Sequence, residues 1–300
     1  MRARAPASTA NLGPGFDALA VALDCYVQVE VERAASLHVH SEGEGAGLFG
    51  DVTHLAARVA IGIIGHDRIA VTVRSQIPVS RGLGSSAALV AATAAAAGVD
   101  DPLDIAAASD GHPENAAASV IGGLVAATTV EGRVCAARLP LSDDLAFVVI
   151  VPDRALKTAD ARTVLPASVR RDDAIFNLGR MGLLLAGLAD PSLLTPAATA
   201  DRLHQEARAA LFPQAPVLLD ALVAAGALAS CWSGAGPSLL GITTEPAAER
   251  VREGALAALE DSGLTGRVLV HRSDRRGLVT GDAAEMPRAP DAGGPPDGEP

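Results

Sequence analysis

One run sets the terms for this chain: Pro78-Val79-Ser80-Arg81-Gly82-Leu83-Gly84-Ser85-Ser86-Ala87-Ala88, followed by an alanine-rich stretch to Gly98. It dictates a tight glycine turn that opens straight into a helix. Gly82 and Gly84 can take positive φ and let a ligand come close to the backbone. Successive N–H groups in such a turn form an anion-binding concavity, and the helix start adds unpaired donors and the positive end of its dipole. Phosphate is the natural guest. Ser85 and Ser86 are expected to cap the helix and to offer hydroxyls to a phosphate or a metal ion. The run is not a Walker A loop, because that motif needs a lysine after its last glycine and the only lysine here is Lys157. Nor is it a dinucleotide fingerprint, which needs G-x-G-x-x-G. A plain turn before a core helix would account for Gly82-Leu83-Gly84 alone, but not for the whole run.

Composition narrows the partners. Apolar residues make up 49% of the chain and aromatics only 2%, so a large core must be built from Ala, Val, Leu and Ile. A formal net charge of −11 argues against nucleic acid and against an anionic membrane surface. No apolar run is long enough to span a bilayer. The basic start Met-Arg-Ala-Arg runs directly into a motif, leaving no space for the apolar part of a secretory leader. Cys25, Cys135 and Cys231 are odd in number and widely spaced, which suits free thiols in a reducing cytoplasm.

Along the chain, the alternation of Val27, Val29 and Val31 predicts a strand over 18–33, with 37–40 as its hairpin partner. Helices are expected at 53–64, 87–97, 101–108 and 112–119, and strands at 69–74, 124–129, 133–139 and 145–151. Further helices are expected at 158–164, 172–189, 199–210, 216–225 and 247–262, with strands at 229–232, 239–243 and 265–271. The polar turn Ser142-Asp143-Asp144 suggests a division into 1–144 and 145–283. From 284 to 300, Pro, Gly, Asp and Glu dominate and a disordered tail is expected.

Three more segments join the glycine run in order: Pro6-Ala-Ser-Thr-Ala-Asn11-Leu-Gly13-Pro14-Gly15-Phe16-Asp17, Gly111-His112-Pro113-Glu114-Asn115, and Ser233-Gly234-Ala235-Gly236-Pro237-Ser238. Together they resemble the motifs of the GHMP kinases, and the first and second of these three take the form seen in homoserine kinases. The resemblance runs over roughly residues 5–280. It implies an α+β fold, with an N-terminal domain like ribosomal protein S5 domain 2, a C-terminal ferredoxin-like domain and the active site between them. It implies ATP-dependent phosphorylation of the L-homoserine hydroxyl on the way to threonine, with Mg²⁺, in a cytoplasmic and often dimeric enzyme.

The resemblance also assigns residues. Pro78 through Ala88 would cradle ATP, with Ser85 or Ser86 touching phosphate or Mg²⁺. Asp104 stands where homoserine kinases carry a glutamate and would hold Mg²⁺ from a helix start. Asn11, Asp17, Asn115, Arg162 and Arg208 would bind substrate, the arginines because a planar fork suits a carboxylate. Asn115 occupies the place where mevalonate kinase and galactokinase have an aspartate. An amide cannot take a proton, so a site without a dedicated base is expected, with Ser85, Ser86 and Asn115 as its catalytic groups. His112 reads as structural, and His204 as an orienting partner of Arg208. The alternatives are a GHMP kinase for another alcohol and a metabolite-binding protein of this fold without turnover. ADP release tested over several alcohols separates all three.

Overall fold

The computed structural model describes residues 1–47, 50–156 and 158–287; residues 288–300 of the expected tail lie outside the described residues. The first part of the chain runs β1 (Arg2–Ala10), β2 (Leu19–Arg33), β3 (His38–Gly43), α1 (Leu55–Ile64), β4 (Ile69–Ser75) and α2 (Ser85–Ala96). It continues through α3 (Leu103–Asp110), α4 (Glu114–Ile121), β5 (Leu124–Val130) and β6 (Arg133–Leu139). The second part is β7 (Leu145–Pro152), α5 (Thr158–Thr163), α6 (Arg171–Ala189), α7 (Gln205–Ala209), α8 (Ala215–Ala224), β8 (Ala229–Trp232), β9 (Leu239–Thr244), α9 (Ala248–Asp261), β10 (Gly266–His271) and β11 (Val279–Thr280).

Two sheets organise the molecule. β2 is the spine of the first: its start pairs with β5, its end with β4, and nearly its whole length with β1. Val27, Val29 and Val31 point inward along it, as the alternation requires. β3 adds to the far side of β4 in parallel, not to β2. The hairpin expected of 37–40 is therefore wrong: both partners of β2 at that end are already taken by β1 and β4. The second sheet has the order β10-β7-β9-β8, with all pairs antiparallel. With α8 and α9 packed on it, this is the β-α-β-β-α-β arrangement of a ferredoxin-like domain.

α2 carries the glycine run into the core. Ala87, Ala88, Ala91, Ala92 and Ala94 are wholly buried, so the helix is apolar on nearly every side and packs against β1 and β2. Small side chains permit that close approach, which is how a chain with so few aromatics fills its interior.

Two further expectations fail locally. Residues 199–210 are not one helix: Asp201 accepts backbone N–H bonds from Leu203 at 2.9 Å and from His204 and Gln205 at 2.8 Å each. This Asx-type capping interrupts the helical run and starts α7 only at Gln205. The C-terminal segment does not stay with the second sheet either. β11 pairs with β1, Ala284 is fully buried and accepts from Gln28 Nε2 at 2.6 Å, and Arg4 donates to the carbonyl of Glu285. Order thus extends past 284. Among the described residues no helix is long and apolar enough to cross a membrane.

Candidate active site

Three motifs converge where the two sheets meet. Thr9, at the end of β1, bonds Ser233 Oγ at 2.9 Å, and Ser233 Oγ donates to the Gly82 carbonyl at 2.7 Å. The Gly234 N–H donates to the Ala10 carbonyl at 3.0 Å, and the Ser8 N–H to the Leu83 carbonyl at 3.1 Å. Gly82 has φ +74, and a methyl group there would run into the Ser233 carbonyl. These contacts hold the glycine run against the first and last motifs.

Beside this junction lies a cleft of about 270 Å³, lined by Asn11, Asp17, Ser80 through Ser86, Glu114, Asn115, Arg162 and Arg208 among others. Its floor is the start of α2. Gly84, not a serine, is the N-cap, and among the described residues no side-chain hydrogen bond caps the helix there. The expectation that Ser85 and Ser86 cap the helix is therefore corrected. They are its first two residues and line the cleft at a helix N-terminus, the kind of terminus whose free N–H groups suit an anion. Gly84 is fixed by contact as well as by its φ of +64, since a methyl group there would meet Ser8 Oγ and Asn115 Oδ1. On the other side of Ser80, Ser85 and Ser86 is a second cavity of about 270 Å³, walled by apolar Val27, Leu55, Val73, Val79 and Leu89. Of the expected cradle, Val79 through Ser86 border one or both cavities. Pro78 lines a separate outer hollow with Asp153 and Arg267, and the Ala87 and Ala88 side chains face the core.

The far wall is charged. Arg162 Nη2 donates to Asp17 Oδ1 at 2.7 Å. Asn11 donates to the Gly234 carbonyl at 2.8 Å and accepts the Asp17 N–H at 3.0 Å, so both ends of its amide position neighbours. Arg208 is 1% exposed, and its Nη1 donates to the Gly234 carbonyl and to His204 Nδ1, each at 2.9 Å. A guanidinium only donates, so His204 Nδ1 must be unprotonated; Nε2 then carries the hydrogen and donates to the Gly13 carbonyl at 2.8 Å. Burial first, and then the Arg208 charge, push the His204 pKa down to about 4, so the ring is neutral. Burial also lowers Arg208, to about 10, which leaves it charged at neutral pH. The Phe16 ring stacks on His204 at 4.9 Å, with the guanidinium carbons of Arg208 at 5.3 Å and Arg162 at 5.7 Å from its centroid. Two cations are thus held beside one aromatic ring.

Asn115 is held from both sides. Ser8 Oγ donates to its Oδ1 at 2.8 Å, and its Nδ2 donates to Glu114 Oε1 at 3.1 Å. Glu114 Oε1 also pairs with His112 Nδ1 at 3.0 Å. Burial works against a charged His112, but the hydrogen bond and charge of Glu114 outweigh it and raise the pKa.

Comparison with known proteins decides the family. Residues 51–123 match the GHMP kinases N terminal domain, and residues 179–261 the GHMP kinases C terminal profile. The chain is 37% identical over 294 residues to a homoserine kinase of Desulfitobacterium hafniense, covering 93% of this chain and 99% of that one. It is 41% identical over 270 residues to a homoserine kinase of Streptomyces avermitilis, covering 84% and 88%. This chain belongs to the homoserine kinase family of the GHMP kinases. The crystal structure of homoserine kinase from Cytophaga hutchinsonii superposes with a TM-score of 0.80 at 26% identity, over 93% of this chain and 96% of that one. At 13% identity, the crystal structure of L. major mevalonate kinase shares the fold with a TM-score of 0.68.

One residue transferred from the homoserine kinase pattern is not where it was expected. Asp104 does not line the cleft. Its Oδ1 accepts the Val134 N–H at 2.9 Å, its Oδ2 lies 3.7 Å from Arg133 Nε, and it borders a separate surface hollow. The rotation of α3 turns this carboxylate towards β6, away from the cleft floor at the start of α2. Asn11, Asp17, Ser85, Ser86, Asn115, Arg162 and Arg208 do come together. Sequence reading passed over Ser8, Thr9 and Phe16. Two adjacent hydroxyl residues inside the apolar run Ala5-Pro6-Ala7-Ser8-Thr9-Ala10 were the available signal, because a buried hydroxyl needs a partner.

Proposed function

We infer that this protein is an ATP-dependent homoserine kinase, transferring the γ-phosphoryl group of ATP to the hydroxyl of L-homoserine and releasing ADP. One observation carries the reading: a phosphate-binding helix start opens into the same cleft as Asp17, Arg162 and Arg208. An amino acid offers the complementary charges. In this reading the arginines take the α-carboxylate, Asp17 takes the ammonium, and Asn115 directs the hydroxyl towards the γ-phosphate. The apolar cavity beyond Ser85 and Ser86 suits the nucleoside of ATP.

Phosphoryl transfer depends on positioning and charge neutralisation. The hydroxyl oxygen bonds to phosphorus as the bond to ADP breaks, and the hydroxyl proton passes to an oxygen of the transferred group. The backbone N–H groups at Gly84, Ser85 and Ser86 hold phosphate oxygens as charge shifts. Mg²⁺ is expected with the nucleotide. The donor set fits it: the Ser85 and Ser86 hydroxyls are hard oxygen ligands of the kind Mg²⁺ takes alongside phosphates and waters. When bound it would neutralise phosphate charge.

The test is steady-state ADP release over homoserine, mevalonate, shikimate and a diphosphocytidyl alcohol. Homoserine should be the preferred acceptor, and chelation of divalent metal should stop turnover until Mg²⁺ is restored. Preference for another alcohol, or homoserine binding without ADP release, would overturn the reading. Three free cysteines, two of them buried, support work in the cytoplasm. A homodimer is the expected assembly, with exposed Ile175, Leu178 and Leu183 on α6 as a surface a second copy could cover.

A further inference from the structure

The outer face of α6 is apolar and uncovered. Ile175, Leu178 and Leu183 are 59%, 71% and 51% exposed, and Gly179, Gly182 and Ala186 are exposed between and beyond them. Helical spacing puts all six in one stripe, while the opposite side turns Asn177, Leu184 and Leu188 into the protein. Glycine in an exposed helix lowers its stability, and the packing of this chain gives no reason for two of them: a Cβ at Gly179 or Gly182 would meet nothing within 4 Å. The charges at the two ends are also misplaced for a helix standing alone. Arg171 is the first residue, at the positive end of the dipole, and Asp190 is the C-cap, at the negative end. The acids beside Arg171 pair elsewhere, Asp172 with Arg170 and Asp173 with Arg202. Among the described residues the Asp190 carboxylate accepts only from Ser192.

Resting on the homodimer expected above, we propose that this face is its interface, with α6 packed antiparallel on α6 of a second copy and the two-fold axis passing between Arg180 and Met181. A two-fold contact is self-complementary, so every residue on the face must suit the one it is carried onto. In this register Gly179 lies level with Gly182 of the second copy. The bare glycine backbone lets the two helix axes come close and leaves hollows for the leucine side chains of the facing helix. Arg171 lies level with Asp190 of the second copy, and Asp190 with its Arg171. Each misplaced charge then gains an opposite charge and the favourable end of the neighbouring dipole. Parallel packing would set like charges together at both ends, so the ends select the antiparallel arrangement. The rival occupant of an apolar helix face is a membrane, and a formal net charge of −11 disfavours an anionic one.

Sedimentation velocity over a series of protein concentrations tests this without any substrate. Wild type should sediment as a dimer. Leu178→Arg should raise the dimer dissociation constant about 100-fold or more, because a leucine is lost from both copies and a charge is set in the seam. The side chain is 71% exposed in the single chain, so the fold should survive and the urea midpoint of the monomer should hold. Arg171→Asp and Asp190→Arg should each raise the constant about 10-fold, and the two together should recover most of the loss, since each reversed charge again faces its opposite. A wild-type monomer at every concentration would overturn both the interface and the expected homodimer, and would leave the face to a different protein. A Leu178→Arg protein that stays dimeric would overturn this interface alone. Charge reversals that add instead of cancelling would overturn the antiparallel pairing. Failure of the kinase reading would appear in ADP release and not in sedimentation, so the two questions stay apart.

Discussion

Arg208 illustrates how a charge becomes a geometric part. One nitrogen is committed to the Gly234 carbonyl and His204, so the rest of the planar fork has a fixed heading. Lysine keeps the charge but cannot hold those two contacts and still present a fork. Arg208→Lys should raise the homoserine KM about 10- to 100-fold and leave the ATP KM unaltered, measured by ADP release. An unchanged homoserine KM would take Arg208 out of acceptor binding. The neutral state of His204 has its own consequence. The ordinary value is 6.5 and the folded value about 4, so between those values the unfolded chain takes up a proton that the folded chain refuses. That contribution to stability is intact above pH 6.5 and is lost as pH falls towards 4. Glutamine can make both hydrogen bonds without titrating. His204→Gln should therefore show a shallower loss of unfolding free energy across that window, read from urea melts at a series of pH values; parallel curves would refute it. At this scale the sequence was informative through motif resemblance, which brought Asp17, Asn115, Arg162 and Arg208 into one cleft. Asp104 was misjudged because the spacing to His112 places a residue on a helix without saying how the helix is rotated.

The glycine run and α2 work as one element. Legibility was high because the physics is local: two glycines with positive φ, free N–H groups and a helix of small residues follow from adjacent positions. The capping role was misread, since the N-cap is Gly84 and the serines fall inside the first turn. A sharper expectation follows. Removing both hydroxyls in Ser85→Ala with Ser86→Ala should cut kcat severely while thermal stability barely moves, since no cap bond is lost. Full activity in the double variant would leave the phosphate floor to the backbone alone. Pairing of β3 with β4 and the break at Asp201 were harder to read. Both depend on which partner wins a competition between distant or side-chain hydrogen bonds, and periodicity carries no record of that.

Across the whole molecule, the ferredoxin-like half became recognisable through its family motifs, since strand order is not written in hydrophobic alternation. The return of the C-terminal segment to the first sheet had no local signature at all. Asp274 anchors it: its carboxylate accepts the Tyr26 hydroxyl and the Arg276 N–H at 2.9 Å each, and the Gly277 N–H at 2.6 Å. Asp274→Ala strands those donors and should lower the unfolding free energy by about 2–4 kcal/mol, with the homoserine KM unchanged because the residue is remote from the cleft. A wild-type urea midpoint would show that the segment is merely draped over the sheet. The pairing of β11 with β1 also bears on synthesis at the ribosome. β1 waits for a partner that is made only at residues 279–280, so its outer edge stays open until that segment has emerged. The first sheet cannot close its β1 edge before then. A chain arrested before residue 279 should be captured by chaperones and cut by proteases at its first sheet, and release should close that edge in one late step.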